Sequence, residues 1–272
     1  MADLSTDSQA MLDAANEMLD SGEYEQAWML LTRMDQEDPE NPEILILMGD
    51  ASMQMGDPNQ ALELFDRCVD LDPEWSDAWS ARAGALLELA LLDEASDNLR
   101  KAISLDRNNS EALYLRAVVL ELQGRFREAD AAYRRAHRAA PDRNPIPVRM
   151  TRKDFLQTVQ EALWQLPAQF RDRMDAAGVQ IRVLDVPDPQ TMLESGLSPQ
   201  VLGAFQGASV LEESVTNPQP TLPPVIHLYQ RNIERVCTSR DQVRMEIQVT
   251  LFHEVGHYFG LEEEDLARLN LD

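Results

Sequence analysis

A step of 34 residues organises the first half of this chain. Gly22, Gly56, Ala90 and Gly124 stand 34 apart, and the same step relates Ala27, Ala61, Ala95 and Ala129. It also relates Pro39, Pro73, Arg107 and Pro141, the small residues Ala15, Gly49, Ala83 and Ala117, and the large apolar residues Leu31, Phe65, Leu99 and Tyr133. Small columns beside large ones are what closely packed helix pairs need, because a small side chain admits its neighbour's bulk. The glycine column falls between two segments of helical periodicity, as a helix stop should. The proline column then ends the second helix of each unit. A fixed period of this length specifies a stack of helix–turn–helix units that bury a shared core.

These columns, with "GDASMQMGDPNQALELFDRCVDLDP" and "AGALLELALLDEASDNLRKAISLDR" as clear copies, resemble the tetratricopeptide repeat. Four units are expected, at 8–41, 42–75, 76–109 and 110–143, together a domain over 8–143. Met11 at a usually aromatic column and Ala90 in the glycine column depart from the pattern. The resemblance implies an all-α solenoid whose concave face binds peptides or other proteins. Arrays of this family often hold C-terminal carboxylates with clustered basic side chains. Lysine occurs here only at Lys101 and Lys153, and the first two repeats contain only Arg33 and Arg67, which argues against that mode.

The net charge of −24 is unevenly placed, with 19 acidic and 2 basic residues in the first 75. A field of this sign repels phosphate backbones, so nucleic acid is not an expected partner. It favours a basic peptide or protein, with solubility as the plain alternative. No run approaches the eighteen or so apolar residues of a membrane span, and the N-terminus lacks a basic region followed by an apolar stretch. Two cysteines far apart, Cys68 and Cys237, read as buried thiols in a reducing compartment. The expected location is the cytoplasm.

"PDRNPIPVRM" places three prolines in seven residues and marks the junction, 144–150, before a second domain at 151–272. There, Thr151 and Asp154 stand at capping-box spacing ahead of an amphipathic helix carrying Phe155, Val159, Ala162, Leu163 and Leu166 on one face. "GVQIRVLDVP" (178–187) alternates as a half-buried strand. From Gly203 to Pro224 the composition turns to Gly, Ser, Asn and Pro and reads as a long loop, a lid or binding loop, with plain disorder as the alternative. "PVIHLYQRNIE" reads as a second strand with Val225, His227 and Tyr229 on one face. Ser239 and Gln242 then open a helix running to about Phe259. Strands mixed with helices imply a small α+β domain.

That last helix carries "LFHEVGHYFGLEEED". His253 and His257 lie one turn apart, so both imidazoles project from one face and can share an ion. Glu254 is rotated about 100° from His253 and can reach a metal-activated water without ligating the metal. Zinc lowers the pKa of such a water. Glu254 is placed to take its proton during attack on a scissile carbonyl, and then to deliver it to the leaving amine. Two surface histidines on an amphipathic helix are the plain alternative.

"DFLQTVQEALWQLP", the strand "VIHLYQRNIE" and "TLFHEVGHYFGLEEEDL", in that order over roughly 150–272, resemble the small zincin-like metallopeptidases sometimes called minimal zincins. In that family the motif is HExxHxxG followed by an acidic third ligand, usually Asp, ten residues after the first histidine. That position here is Glu263, with Asp265 two further along as the alternative ligand. Gly260 lets the backbone reverse so that a residue just beyond can return to the metal. The acidic run also suits the first turn of a last helix. His227, on a strand that faces the site in the resemblance, and Tyr229 and Tyr258 are candidates to stabilise an oxyanion. A solvent-facing histidine and core-packed tyrosines are the alternatives.

The expectation is a two-domain protein: a tetratricopeptide solenoid that recruits a substrate or partner, carrying a zinc metallopeptidase with His253, His257 and Glu263 on Zn2+ and Glu254 as base. The rival is a non-enzymatic adaptor with a structural or vestigial metal, and a third reading is hydrolysis of a non-peptide amide. Retention of Glu254 favours the enzyme, because a structural metal has no use for a base.

Overall fold

The structure, a computed structural model, describes residues 6–207 and 223–261. The chain divides into two compact units, Met1–Asn144 with Asp188–Pro199, and Pro145–Pro187 with Gln200–Asp272.

Four helix pairs build the first unit: α1 (Thr6–Asp20) with α2 (Tyr24–Glu37), α3 (Pro42–Gln54) with α4 (Pro58–Leu71), α5 (Ser76–Glu88) with α6 (Leu92–Leu105), and α7 (Ser110–Leu122) with α8 (Phe126–Ala139). The expected solenoid is what forms. Asn41, Asp57 and Asn109 cap their helices, each side-chain oxygen accepting a first-turn N–H. The first helices of successive pairs pack side by side more closely than the second helices do, which places α1, α3, α5 and α7 on the inside of the curve. The small and large columns meet as the spacing requires. A Cβ on Gly49 would stand 2.2 Å from the Phe65 ring, so glycine is needed where the facing residue is phenylalanine.

Gly22, Gly56 and Gly124 turn each pair at φ of 78, 79 and 74°. Ala90 holds the same place at φ 59°, a left-handed conformation that its Cβ resists. That conformation costs an L-residue about 1–2 kcal/mol. Glycine would lose more backbone entropy on folding, by about 0.4–1 kcal/mol. Ala90→Gly is therefore expected to stabilise the array by roughly 0.5 kcal/mol, read as a higher urea midpoint. A lower midpoint would show that the buried Ala90 methyl outweighs the strain.

In the second unit, Thr151 Oγ1 accepts the Asp154 N–H and opens α9 (Arg152–Gln165). It is followed by α10 (Ala168–Ala177) and β1 (Gln180–Leu184). A short helix, α11 (Pro189–Ser195), lies in Asp188–Pro199, the segment that groups with the array although its neighbours in sequence do not. Its Met192 is buried. The chain then forms β2 (Gly203–Gln206), β3 (Val225–Tyr229), α12 (Gln230–Arg235) and α13 (Arg240–Phe259). Gly203–Gln206, expected as loop, is a strand, because its backbone pairs with β3 whatever its composition. The rest of that stretch, 208–222, lies outside the described residues.

The sheet order is β1-β3-β2, with β1 parallel and β2 antiparallel to β3. The register puts Ile181, Val183, Gly203, Phe205, Ile226 and Leu228 on one face. That face forms the unit's core with Phe155 and Val159 of α9 and with Val243, Ile247, Leu251 and Val255 of α13. Glu234, on α12 and wholly buried, ties the start of the unit down. It accepts the Met150 N–H at 2.9 Å and the Gln230 amide at 2.7 Å, and pairs with Arg149 at 3.3 Å. No described helix is long and apolar enough to cross a membrane.

Candidate metal centre

Ser239 Oγ accepts the Gln242 N–H and starts α13; Gly260, at φ 68°, stops it. Between those caps, the stripe Val243, Ile247, Leu251, Val255 and Tyr258 is driven into the core. Burial of that stripe sets the rotation of the helix, and so brings His253 and His257 to its open side. His257 is exposed and His253 half-buried. Their Nε2 atoms face each other at 2.9 Å, ring planes at 88°.

Glu254 is buried where α13 meets β2. Burial pushes its carboxyl up to about 7, and a hydrogen bond donated by the Phe205 backbone N–H opposes that rise. Room for the carboxylate depends on Gly203. A Cβ there would lie 2.8 Å from Thr250 Cγ2, 2.9 Å from Glu254 Cγ and 3.0 Å from Glu254 Oε1. Gly203 and Phe205 were not legible as site residues, since β2 lies some fifty positions away in a stretch of loop-like composition. The glycine itself was the only signal.

The two imidazoles suit a first-row metal. Each offers one ring lone pair, and a tetrahedral zinc with bonds of about 2.0–2.1 Å holds its nitrogens about 3.3–3.4 Å apart. Among the described residues no three His, Cys, Asp or Glu side chains form a metal group. Glu263 and Asp265, the expected third ligand and its alternative, lie outside the described residues.

His227 and Tyr229 are not brought to this site. The register places them with Arg182 and Ala204 on the sheet face turned away from α13. There the His227 ring stacks parallel to Tyr229, with Nε2 at 3.4 Å from Gln206 Oε1. Burial, then the Arg182 charge, lowers the His227 pKa. Tyr258, next to His257 in sequence, turns into the core against Phe205 and Phe259. Alternation along a strand and rotation along a helix send these three side chains away from the histidine pair.

Because Gly203 leaves no room for a methyl, Gly203→Ala is expected to displace Glu254 by a few tenths of an ångström or more. A misplacement of about 1 Å costs about a hundredfold in rate, and a smaller one less. For the peptidase expected from the sequence, the result would be a ten- to hundredfold loss of hydrolysis with metal content unchanged. Equal rates in the two proteins would show that Gly203 does not position Glu254.

Comparison with known proteins agrees with this architecture. The family model for zincin-like metallopeptidases matches residues 176–271, and tetratricopeptide-repeat models match 18–85, 76–109 and 110–143. Human tetratricopeptide repeat protein 16 is 38% identical over 76 residues, 28% of this chain and 9% of that protein, so the similarity spans a small part of the relative's length. Among solved structures, MamA is 26% identical over 47% of this chain and 74% of its own, with a TM-score of 0.42. A thermophilic TPR protein of Thermus thermophilus is 22% identical over 49% and 74%, with a TM-score of 0.47. The chain thus carries tetratricopeptide repeats over residues 18–143, followed by a zincin-like metallopeptidase domain over residues 176–271.

Proposed function

We propose that this protein is a zinc-dependent peptidase whose repeat array recruits a protein or peptide. His253 and His257 would hold the metal, with Glu263 as third ligand and Asp265 as the alternative. Zinc, when bound, supplies Lewis acidity that makes water a nucleophile near neutral pH and polarises a carbonyl. Glu254 accepts the proton that the attacking water loses and returns it to the leaving amine nitrogen. The Phe205 N–H fixes the carboxylate for both transfers. The exposed side of His257 leaves room for a chain to approach. Cys68 and Cys237 are free and buried, which suits action in the reducing cytoplasm.

The observation that carries this reading is the convergence of two imidazole nitrogens, 2.9 Å apart, beside a buried carboxylate one residue along the same helix. A structural metal would not require that carboxylate. The test is zinc per chain by elemental analysis, in the wild type beside Glu263→Ala. One zinc in the wild type and its clear loss in the variant are expected. Unchanged zinc in the variant would move the third ligand to Asp265 or elsewhere. No metal in either, even after zinc is supplied, would overturn the peptidase.

A further inference from the structure

The 34-residue step allows one arginine to be compared with its own counterpart. Arg82 on α5 and Arg116 on α7 hold the same position in successive repeats. Arg82 is satisfied within the array. Its Nε donates to Asp66 Oδ1 of α4 at 2.5 Å, and its Nη1 donates to Asn98 Oδ1 of α6 at 2.8 Å. One step along, Arg100 stands in place of Asp66 and Ala132 in place of Asn98. Arg116 therefore keeps the guanidinium but loses both acceptors, and one of them has become a second cation. It is exposed, with no hydrogen bond or ion pair to any described residue. Two cavities open beside it. One, of about 190 Å³, is lined by Ser96, Arg100, Arg116 and Arg125, and no acidic side chain is on its wall. The other, of about 270 Å³, has Arg116, Glu128 and Arg135 around it. Arg100 is paired with Asp97 of its own helix, and Arg125 grips Glu128 at 2.9 and 2.7 Å. Glu128 feels the charge of Arg116 without bonding it. Ser96 and Arg100 lie on α6 and Glu128 and Arg135 on α8, so both cavities border the outer row of helices and not the inside of the curve.

We propose that Arg100, Arg116 and Arg125 seat a glutamate or aspartate side chain from an acidic segment of a partner protein, on the outer row of the third and fourth repeats. The planar guanidinium matches a carboxylate edge to edge and donates two parallel hydrogen bonds to it. A cleft lined by one sign of charge also focuses its field on an arriving anion. The incoming carboxylate gives Arg116 from outside what Asp66 gives Arg82 from within. A nucleic acid suits this place less well, because the net charge of −24 opposes a strand of phosphates along its whole length. The proposal concerns a different row of helices from the concave face and does not depend on the peptidase reading.

The test uses the full chain and a rhodamine-labelled peptide, Ala-Ala-Glu-Glu-Ala-Ala with an amidated C-terminus, followed by anisotropy at low salt. The same peptide with glutamine for glutamate should bind at least tenfold more weakly. Arg116→Gln removes a charge-assisted pair of hydrogen bonds and is expected to weaken binding of the acidic peptide about tenfold or more. Arg134→Gln, which removes the same charge from an exposed position of α8 that lines neither cavity, should change it less than twofold. Arg100→Asp with Ala132→Asn gives Arg116 the two partners that Arg82 has, and should abolish binding with Arg116 still in place. Equal losses in Arg116→Gln and Arg134→Gln would reduce the effect to general attraction and overturn the site. Wild-type binding by the double variant, or equal binding of the two peptides, would overturn it as well. A labelled oligothymidylate that bound more tightly than the acidic peptide, and lost that binding in Arg116→Gln, would replace the acidic segment with a nucleic acid. Zinc content and hydrolysis of casein, measured on the same preparations, report on the peptidase separately. His257→Ala should bind the acidic peptide normally while losing both.

Discussion

Glu254→Gln is expected to keep its zinc and lose hydrolysis by about a thousandfold. The substitution is isosteric, and the glutamine carbonyl can still accept the Phe205 N–H, so β2 and α13 stay together. His253 and His257 are untouched, so metal affinity is preserved. What disappears is the group that can carry a proton between water and the leaving nitrogen, and general acid–base catalysis of this kind is worth about 10²–10⁴-fold. His257→Ala provides the contrast, because removing one of two facing imidazoles should remove metal and activity together. Both proteins would be assayed at pH 7 with fluorescent casein, and zinc measured on the same samples. Wild-type hydrolysis by the glutamine variant would show that Glu254 is not the base.

Glu234→Ala is expected to cause the largest loss of stability. The carboxylate is wholly buried and accepts from the Met150 N–H and the Gln230 amide while pairing with Arg149. Alanine removes the buried acceptor of the Met150 N–H and the Gln230 amide, and takes one carboxylate partner from Arg149. Breaking a buried pair in this way costs about 3–5 kcal/mol. Arg149 keeps partial access to water, so about 3 kcal/mol is expected. Hydrogen exchange of the β3 and α12 amides should then be about a hundredfold faster wherever it proceeds through unfolding of the second unit. Glu234→Gln retains a carbonyl acceptor for the Met150 N–H and should lose much less. Unchanged exchange in the alanine variant would mean that the prolines of 141–147, rather than Glu234, hold the start of this unit.

Much of the candidate site was legible because its signals are local. His253, Glu254 and His257 are close enough in sequence for helix geometry alone to put both imidazoles on one side. The caps Ser239 and Gly260 stand where their chemistry requires them. The array was legible for a related reason. Each of its turns, prolines and small–large contacts repeats every 34 residues, so one unit's pattern explains its neighbours. Ala90 shows how far the pattern reaches: the position turns left-handed even without glycine, because helices on both sides demand it.

The sequence by itself therefore determined the repeat, the division into a helical array and a mixed domain, and the histidine motif on a capped helix. Tertiary structure alone decided what surrounds that motif. Gly203 and Phe205 reach Glu254 only because β2 pairs with β3 and lies against α13. His227 and Tyr229 are taken away by the register of the same sheet. Periodicity is a property of neighbours in sequence, whereas these contacts join residues tens of positions apart. Their partners are chosen by burial of a common core, which no local pattern encodes.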